Sequence, residues 1–296
     1  MRTTTKISFA VGLFLGIAVV LSIAIFRATD SSNVPQVIIP VEENFLQQPV
    51  ASPIIQEVSV SAYGVYTIEG NELNSFRADK RWPIASITKL MTAVVADKLY
   101  LSSSSTFDFE VIRITQEMVE TEGASGGLLV GEAFRADDLI KAMMLVSSND
   151  AGAALAIHYG EEAFINEMNA LAKEIGMVNT TFVDPTGLSV QNLSTVEDLR
   201  RLAKYVWEEQ QYIFDISRKP SDIIRDRVNG TARRLVSIND FAGREDFLGG
   251  KTGSIPEAEG NLLSLFEVSG IIGPITIIVL GTEDRFGETE NILMEL

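Results

Sequence analysis

Residues 7–26, ISFAVGLFLGIAVVLSIAIF, run for twenty positions without a charge. As a helix rising 1.5 Å per residue such a run covers about 30 Å, the thickness of one hydrocarbon core. A cleavable signal peptide usually has a shorter apolar run, about 7–15 residues, closed by a small-x-small site. Ser22-Ile23-Ala24 imitates such a site, but the length of the run favours an uncleaved anchor over residues 1–28. Arg2 and Lys6 precede the run and Asp30 follows it. That asymmetry puts the N-terminus inside the cell and the remainder outside the cytoplasm, as a single-pass protein of the plasma membrane.

After the anchor, residues 29–56 hold four of the nine prolines, at positions 35, 40, 49 and 53, and no helical period. This stretch reads as an extended tether, leaving residues 57–296 as one domain. The domain shows no internal repeat. The chain as a whole has 24 basic against 40 acidic residues, a net charge of −16, and its cations do not form runs. A nucleic-acid partner is therefore not expected. The absence of cysteine excludes disulfides, thiol catalysis and thiolate-bound zinc. With one histidine, only carboxylates remain as metal ligands, so neither metal nor cofactor is expected.

The domain opens with strand-like alternation over 57–68, a turn at Glu69-Gly70-Asn71 and a second short strand. A helix is predicted from about Ser86 to Tyr100, and an apolar helical stretch from Ala136 to Tyr159 with a break near Ser147. Phe164, Met168, Leu171 and Ile175 mark an amphipathic helix. Ser194-Thr195-Val196-Glu197 reads as a capping box that points Leu199, Leu202, Ala203 and Val206 inward. Asn229-Gly230 suggests a hairpin. Three strands follow, around 247–254, 261–268 and 274–282, and then a final helix over 287–296. Strands at both ends with helices between imply an α/β (α+β) domain, a mostly antiparallel sheet flanked by helices with a helical subdomain.

Three short patterns carry candidate chemistry. Ser86 and Lys89 are one helical turn apart at the head of an apolar helix, so their side chains share a face. A helix N-terminus also offers free N–H groups to a developing oxyanion. Ser147-Ser148-Asn149 matches a Ser-x-Asn pattern found also at Ser31–Asn33 and Ser237–Asn239. Only the 147–149 copy interrupts an apolar helical stretch, where a buried hydroxyl and amide carry a desolvation cost. Lys251-Thr252-Gly253 occurs once, after Gly249-Gly250. On an edge strand it would present a cation and a hydroxyl to a carboxylate, with glycines permitting close approach of a substrate backbone.

In this order the three triplets resemble those of the serine penicillin-recognising enzymes, the penicillin-binding proteins and β-lactamases. The segments SSNDAGAALA, MNALAKEIGMVNTTFVDPTGL and RFGETENIL are similar to the low-molecular-mass D-alanyl-D-alanine carboxypeptidases. The resemblance covers about 58–296. It implies that Ser86 attacks a D-Ala-D-Ala carbonyl and that Lys89 accepts its proton. By the same resemblance Ser147 relays a proton or positions Lys89, and Asn149 holds the substrate peptide. Lys251, Thr252 and Arg285 would bind the terminal carboxylate, beside Gly253, and the N–H groups of Ser86 and Ser254 would form the oxyanion hole. The implied partners are peptidoglycan stem peptides, with β-lactam antibiotics as covalent inhibitors. A DD-endopeptidase acting on cross-links and a non-catalytic cell-wall binder are the alternatives.

Several patterns are expected to be inert. Gly123-Ala124-Ser125-Gly126-Gly127 fits a Gly-x-Ser-x-Gly elbow but lacks a clear strand before and helix after it. His158 is expected to be structural or solvated. Glu162–Asn166 fits the Glu-x-x-x-Asn of class A β-lactamases but comes too early in the chain. Asp184-Pro185 and Gly187 are expected to shape a turn without a catalytic role. Glu257 and Glu259 make the segment after Lys251-Thr252-Gly253 unusually acidic for the neighbour of a carboxylate site.

Overall fold

Alternation along the chain becomes a sheet whose two faces are both covered. The computed structural model describes residues 59–101, 110–124 and 126–296. The expected anchor, the tether and the first residues of the predicted opening strand lie outside them. Among the described residues no helix is long and apolar enough to cross a membrane.

β1 (Ala62–Thr67) and β2 (Glu72–Phe76) form the first hairpin, and β3 is a two-residue strand at Trp82–Pro83. A single 3-10 turn, Ala85–Ile87, leads into α1 (Thr88–Ala96). β4 (Val111–Arg113) pairs with β5 (Ala133–Arg135). The helical subdomain continues with α2 (Ala136–Val146), α3 (Asn149–Tyr159) and α4 (Glu161–Glu174). β6 (Leu193–Ser194) pairs with β3 before α5 (Val196–Glu209) and α6 (Tyr212–Ser217). β7 (Ser221–Arg225) and β8 (Ala232–Val236) make a separate hairpin. The chain then returns to the main sheet through β9 (Phe247–Ile255), β10 (Glu259–Glu267) and β11 (Pro274–Thr282), and α7 (Arg285–Met294) follows.

The main sheet has the order β2-β1-β11-β10-β9, and every strand pairing among the described residues is antiparallel. On β11, Ile275, Ile277 and Val279 enter an apolar cluster with Phe247, Phe266 and Ile292 of α7, while Ile278 and Leu280 enter the larger cluster shared with the helices. The period of two thus feeds a three-layer arrangement, with α7 on one face and the helical subdomain on the other. β9 is left as an edge, as the sequence suggested for Lys251-Thr252-Gly253.

Three boundaries differ from expectation. Ser86 lies in the 3-10 turn and not in the α-helix that Lys89 opens into. The N-cap of α5 is Thr195, whose hydroxyl accepts from the Asp198 N–H, because Ser194 is already engaged in pairing with Trp82 and in a 2.7 Å contact with Thr180 Oγ1. α7 starts at Arg285, two residues early, since Asp284 caps it through the Gly287 N–H.

Candidate active site

Three backbone irregularities bring the site together. The first is Ala85, at φ 48°, a left-handed conformation disfavoured for a residue with a Cβ. It turns the chain from β3 into the 3-10 helix, whose first turn has no side-chain cap. Gly187 packs so tightly here that a Cβ on it would lie 2.0 Å from the Ala85 carbonyl oxygen. The second is Ser147, at φ 57°, which ends α2. Ser148 then caps α3, accepting from the Ala151 N–H at 3.1 Å. This break is the one the sequence placed near Ser147. The third is the close passage of β9 over the 3-10 turn. A Cβ on Gly253 would sit 2.6 Å from the Ile84 carbonyl oxygen and 3.2 Å from the Ser86 nitrogen.

Lys89 is completely buried in this junction. Its Nζ donates to Ser86 Oγ at 2.9 Å, to Asn149 Oδ1 at 2.6 Å and to the Thr186 carbonyl at 2.6 Å. Burial lowers its pKa to about 7, against an opposing pull from Asp184. Lys251 is buried as well, and its Nζ donates to Ser147 Oγ and to the Thr252 carbonyl, each at 2.9 Å. Its pKa is held well below the ordinary lysine range, first by burial and then by the neighbouring charges of Lys89 and Arg285.

The structure therefore brings Ser86, Lys89, Ser147, Asn149 and Lys251 into one connected group. Thr252 is buried beside Lys251, and Ser254 is exposed two residues further along β9, opposite Gly260. Arg285 approaches from α7 and donates from Nη1 to the Gly253 carbonyl at 3.4 Å; its buried Nε has no partner among the described residues. One expected contact is exchanged. Lys89 is positioned by Asn149, while Ser147 faces Lys251.

Two segments expected to be inert take part. The Asp184 carboxylate accepts from the N–H groups of Thr186 and Gly187 at 2.7 Å and of Ser189 at 2.9 Å. That turn aims the Thr186 carbonyl at Lys89. It is a turn, as expected, but one in direct contact with the central lysine. The Gly123–Gly127 segment, whose Ser125 lies outside the described residues, meets Asn149 through backbone: the Ala124 carbonyl accepts from the Asn149 N–H at 2.6 Å, and the adjacent Glu122 carbonyl from Asn149 Nδ2 at 2.5 Å. Its glycines matter for their missing side chains, since a Cβ on Gly126 would lie 2.6 Å from Ser148 Oγ. An Asp-Pro-x-Gly run is the sequence signal for the first segment, and nothing beyond glycine richness marks the second. His158, at the end of α3, meets Glu110 Oε1 at 3.0 Å, and Glu162 is exposed on α4. No group of three metal-ligating side chains comes together among the described residues.

A buried lysine against a serine hydroxyl, flanked by a Ser-x-Asn and an edge-strand Lys-Thr-Gly, matches a family model described as D-alanyl-D-alanine carboxypeptidase (Peptidase S11) over residues 58–282. The chain belongs to this family. Among curated members of related sequence, it is 39% identical to a D-alanyl-D-alanine endopeptidase of Pseudomonas aeruginosa, over 62% of this chain and 54% of that protein. It is 42% identical to a D-alanyl-D-alanine endopeptidase of Escherichia coli, over 40% of this chain and 38% of that protein. The chain thus spans about half or less of the length of these two relatives. Among solved structures, penicillin-binding protein D2 of Listeria monocytogenes in its ampicillin-bound form superposes with a TM-score of 0.69 at 32% identity, covering 81% of this chain and 97% of that one.

Proposed function

We propose that the chain is a membrane-tethered serine DD-carboxypeptidase that removes the terminal D-alanine of peptidoglycan stem peptides through an acyl-enzyme on Ser86. The observation that carries this reading is Lys89, with Nζ 2.9 Å from Ser86 Oγ and a pKa lowered to about 7. At neutral pH a large fraction of it is an amine with a lone pair for the serine proton. Bringing a lysine from its usual value to 7 corresponds to roughly 5 kcal/mol of discrimination against the ammonium.

In acylation, Lys89 takes the Ser86 proton as Oγ attacks the carbonyl between the last two D-alanines. The negative charge on the carbonyl oxygen meets the N–H groups of Ser86 and Ser254. The proton taken by Lys89 is handed on to the departing amine with Ser147 as the relay, and the C–N bond breaks to leave an ester on Ser86 and Lys89 neutral again. Water activated by Lys89 then releases the shortened peptide. Lys251, Thr252 and Arg285 hold the terminal carboxylate, and an incoming anion favours the charged form of Lys251 that the empty cleft disfavours. Gly253, with no side chain to press on the Ile84–Ser86 turn, lets β9 lie close to the serine, and Asn149, whose oxygen meets Lys89 and whose Nδ2 meets the Glu122 carbonyl, keeps one N–H for the substrate. β-Lactams would acylate Ser86 by the same first step. The anchor at 1–28 would hold the domain on the outer side of the plasma membrane.

A second reading, DD-endopeptidase on cross-links, is favoured by the names of the two curated relatives. The deciding experiment incubates the full chain in detergent with a stem pentapeptide ending in D-Ala-D-Ala, and separately with cross-linked dimers, following product mass. Loss of one alanine, absent in Ser86→Ala, is expected. Cleavage of dimers alone would establish the endopeptidase, and no cleavage of either by folded protein would leave the non-catalytic binder.

A further inference from the structure

The chain's charge is unevenly distributed. Residues 218–244 contain seven arginines and lysines against three aspartates, a net charge of +4 within a chain of −16. Most of this segment is the β7–β8 hairpin. Ile224 and Leu235 are buried and attach it to the subdomain. The opposite face is open: Ile223 pairs across with Arg234, Arg225 with Ala232, and Ser221 with Val236. Ile223 and Val236 are 46% and 59% exposed. Arg225, Arg227 and Arg234 are exposed, and among the described residues their guanidiniums meet no carboxylate; Arg234 Nη2 only donates to Ser221 Oγ at 3.0 Å. This contrasts with Arg233 on the other face, which is paired with Glu132 at 2.9 Å.

The hairpin leads directly to the cleft. Just after β8, the Ile238 N–H donates to the Leu145 carbonyl at 3.0 Å, two residues before Ser147. Next along, Asp240 acts electrostatically on Arg285. The segment that follows the hairpin thus lies beside the end of α2 that carries Ser147.

We propose that this face is a docking surface for the anionic peptidoglycan strand whose stem peptide enters the cleft. The proposal rests on the reading of the chain as a peptidoglycan peptidase and adds the substrate's form, polymer over free peptide. Stem peptides repeat carboxylates along the strand, and guanidiniums bind carboxylates through paired N–H donors. The singly exposed Ile223 and Val236 suit the C–H faces of sugar rings. The acidic remainder of the surface repels such a polymer, so the approach orients the basic hairpin toward it. An anionic bilayer would meet the same charges, and it is the competing outcome that the test below separates.

The test measures retention of the full chain, in mild detergent, on purified sacculi. Ser86→Ala is used so that binding is read without turnover. Adding Arg225→Glu, Arg227→Glu and Arg234→Glu is expected to weaken retention about tenfold at low salt, as the loss of three modest ion pairs implies. Retention of the chain without these three changes should itself fall as salt is raised. The same triple change in the active chain should leave turnover of the soluble pentapeptide within about twofold, since these arginines lie outside the cleft. Retention indifferent both to salt and to charge reversal would overturn the proposal. So would capture by phosphatidylglycerol micelles that the triple change abolishes while sacculus retention persists. If the unaltered chain fails to cleave any peptide, the peptidase reading falls, whereas sacculus retention still reports on the hairpin.

Discussion

The cations of the cleft and those of α5 are satisfied in opposite ways. On α5, Arg200 Nη2 meets Glu197 Oε1 at 2.5 Å and Arg201 Nη1 meets Asp198 Oδ1 at 3.0 Å. The hydrogen bond to Glu197 raises the Arg200 pKa. In the cleft, the hydrogen-bond partners of Lys89 are a hydroxyl, an amide oxygen and a carbonyl, and those of Lys251 are a hydroxyl and a carbonyl. Neutral dipoles satisfy N–H groups without fixing a full charge, so burial decides the outcome and both lysines are pushed downward. The difference shows how one residue class can serve as a fixed strut in one place and as an exchangeable proton carrier in another.

The largest break in this contrast is to remove the carrier. Lys89→Met should slow acylation by benzylpenicillin by ~10²–10⁴, the usual contribution of a positioned base. The melting temperature reports the balance between relief of a buried amine and loss of its bonds to Asn149 Oδ1 and the Thr186 carbonyl, and should fall by no more than a few degrees. Labelling rate and thermal unfolding on the same preparation check both. Converting the cleft to the α5 type is the next step. Asn149→Asp places a carboxylate where the Asn149 oxygen now contacts Lys89, which should raise the lysine pKa by ~1–3 units. Acylation at pH 7 should then fall at least about fivefold and recover at higher pH; an unmoved profile would show that the partner's charge is irrelevant.

For the unaltered chain, the base in the proposed mechanism is the deprotonated form of Lys89. Acylation should therefore rise about tenfold per pH unit below 7 and level off above the pKa of about 7. Asp184→Asn should move that rise to lower pH, since Asp184 raises the Lys89 pKa. It should also destabilise the domain by about 1–3 kcal/mol through weakened bonds to the 186–189 turn. Smallest of all, Glu197→Gln should leave acylation unchanged and cost at most ~1 kcal/mol in denaturant unfolding, as for other partly exposed ion pairs.

The sequence disclosed those features of the site that side chains announce. Helical spacing ahead of an apolar run marked Ser86 and Lys89 only as candidates, as did a polar break between two apolar helices for Ser147–Asn149 and rarity for Lys251–Gly253; their shared order, through the family resemblance it carries, singled them out. What stayed hidden belongs to the backbone. The Thr186 carbonyl contacts Lys89 at 2.6 Å, yet a carbonyl carries no residue signature. Gly123–Gly127 serves Asn149 through absent side chains. The exchange of Lys89's expected partner, Asn149 in place of Ser147, follows from the left-handed turn at Ser147, a conformation that neither composition nor period reveals. In the fold, the strands of the main sheet and the longer helices were readable, because burial is periodic, whereas the two- and three-residue strands β3 to β6 and the short α6 are too brief to show a period. The cap of α5 slipped by one residue because Ser194 and Thr195 are equally able to cap and only the pairing of β6 with β3 separates them.

The clasp around Ser86 also limits the chain's capacity for inherited change. A side chain at position 187 or 253 would press on the peptide carrying Ser86, within 2.0 Å of the Ala85 oxygen in one case and 2.6 Å of the Ile84 oxygen in the other. Variation at these two places is closed to any descendant that keeps the reaction, and a drug cannot be evaded by reshaping them. Within the turn after β9 the contrast is repeated on a small scale: Ala258 is buried and its carbonyl accepts from Trp82 Nε1, whereas Glu257 faces solvent and carries no such restriction. Under the proposed reaction, exposed positions of this kind are free to change while the pitch of the serine is handed down unaltered.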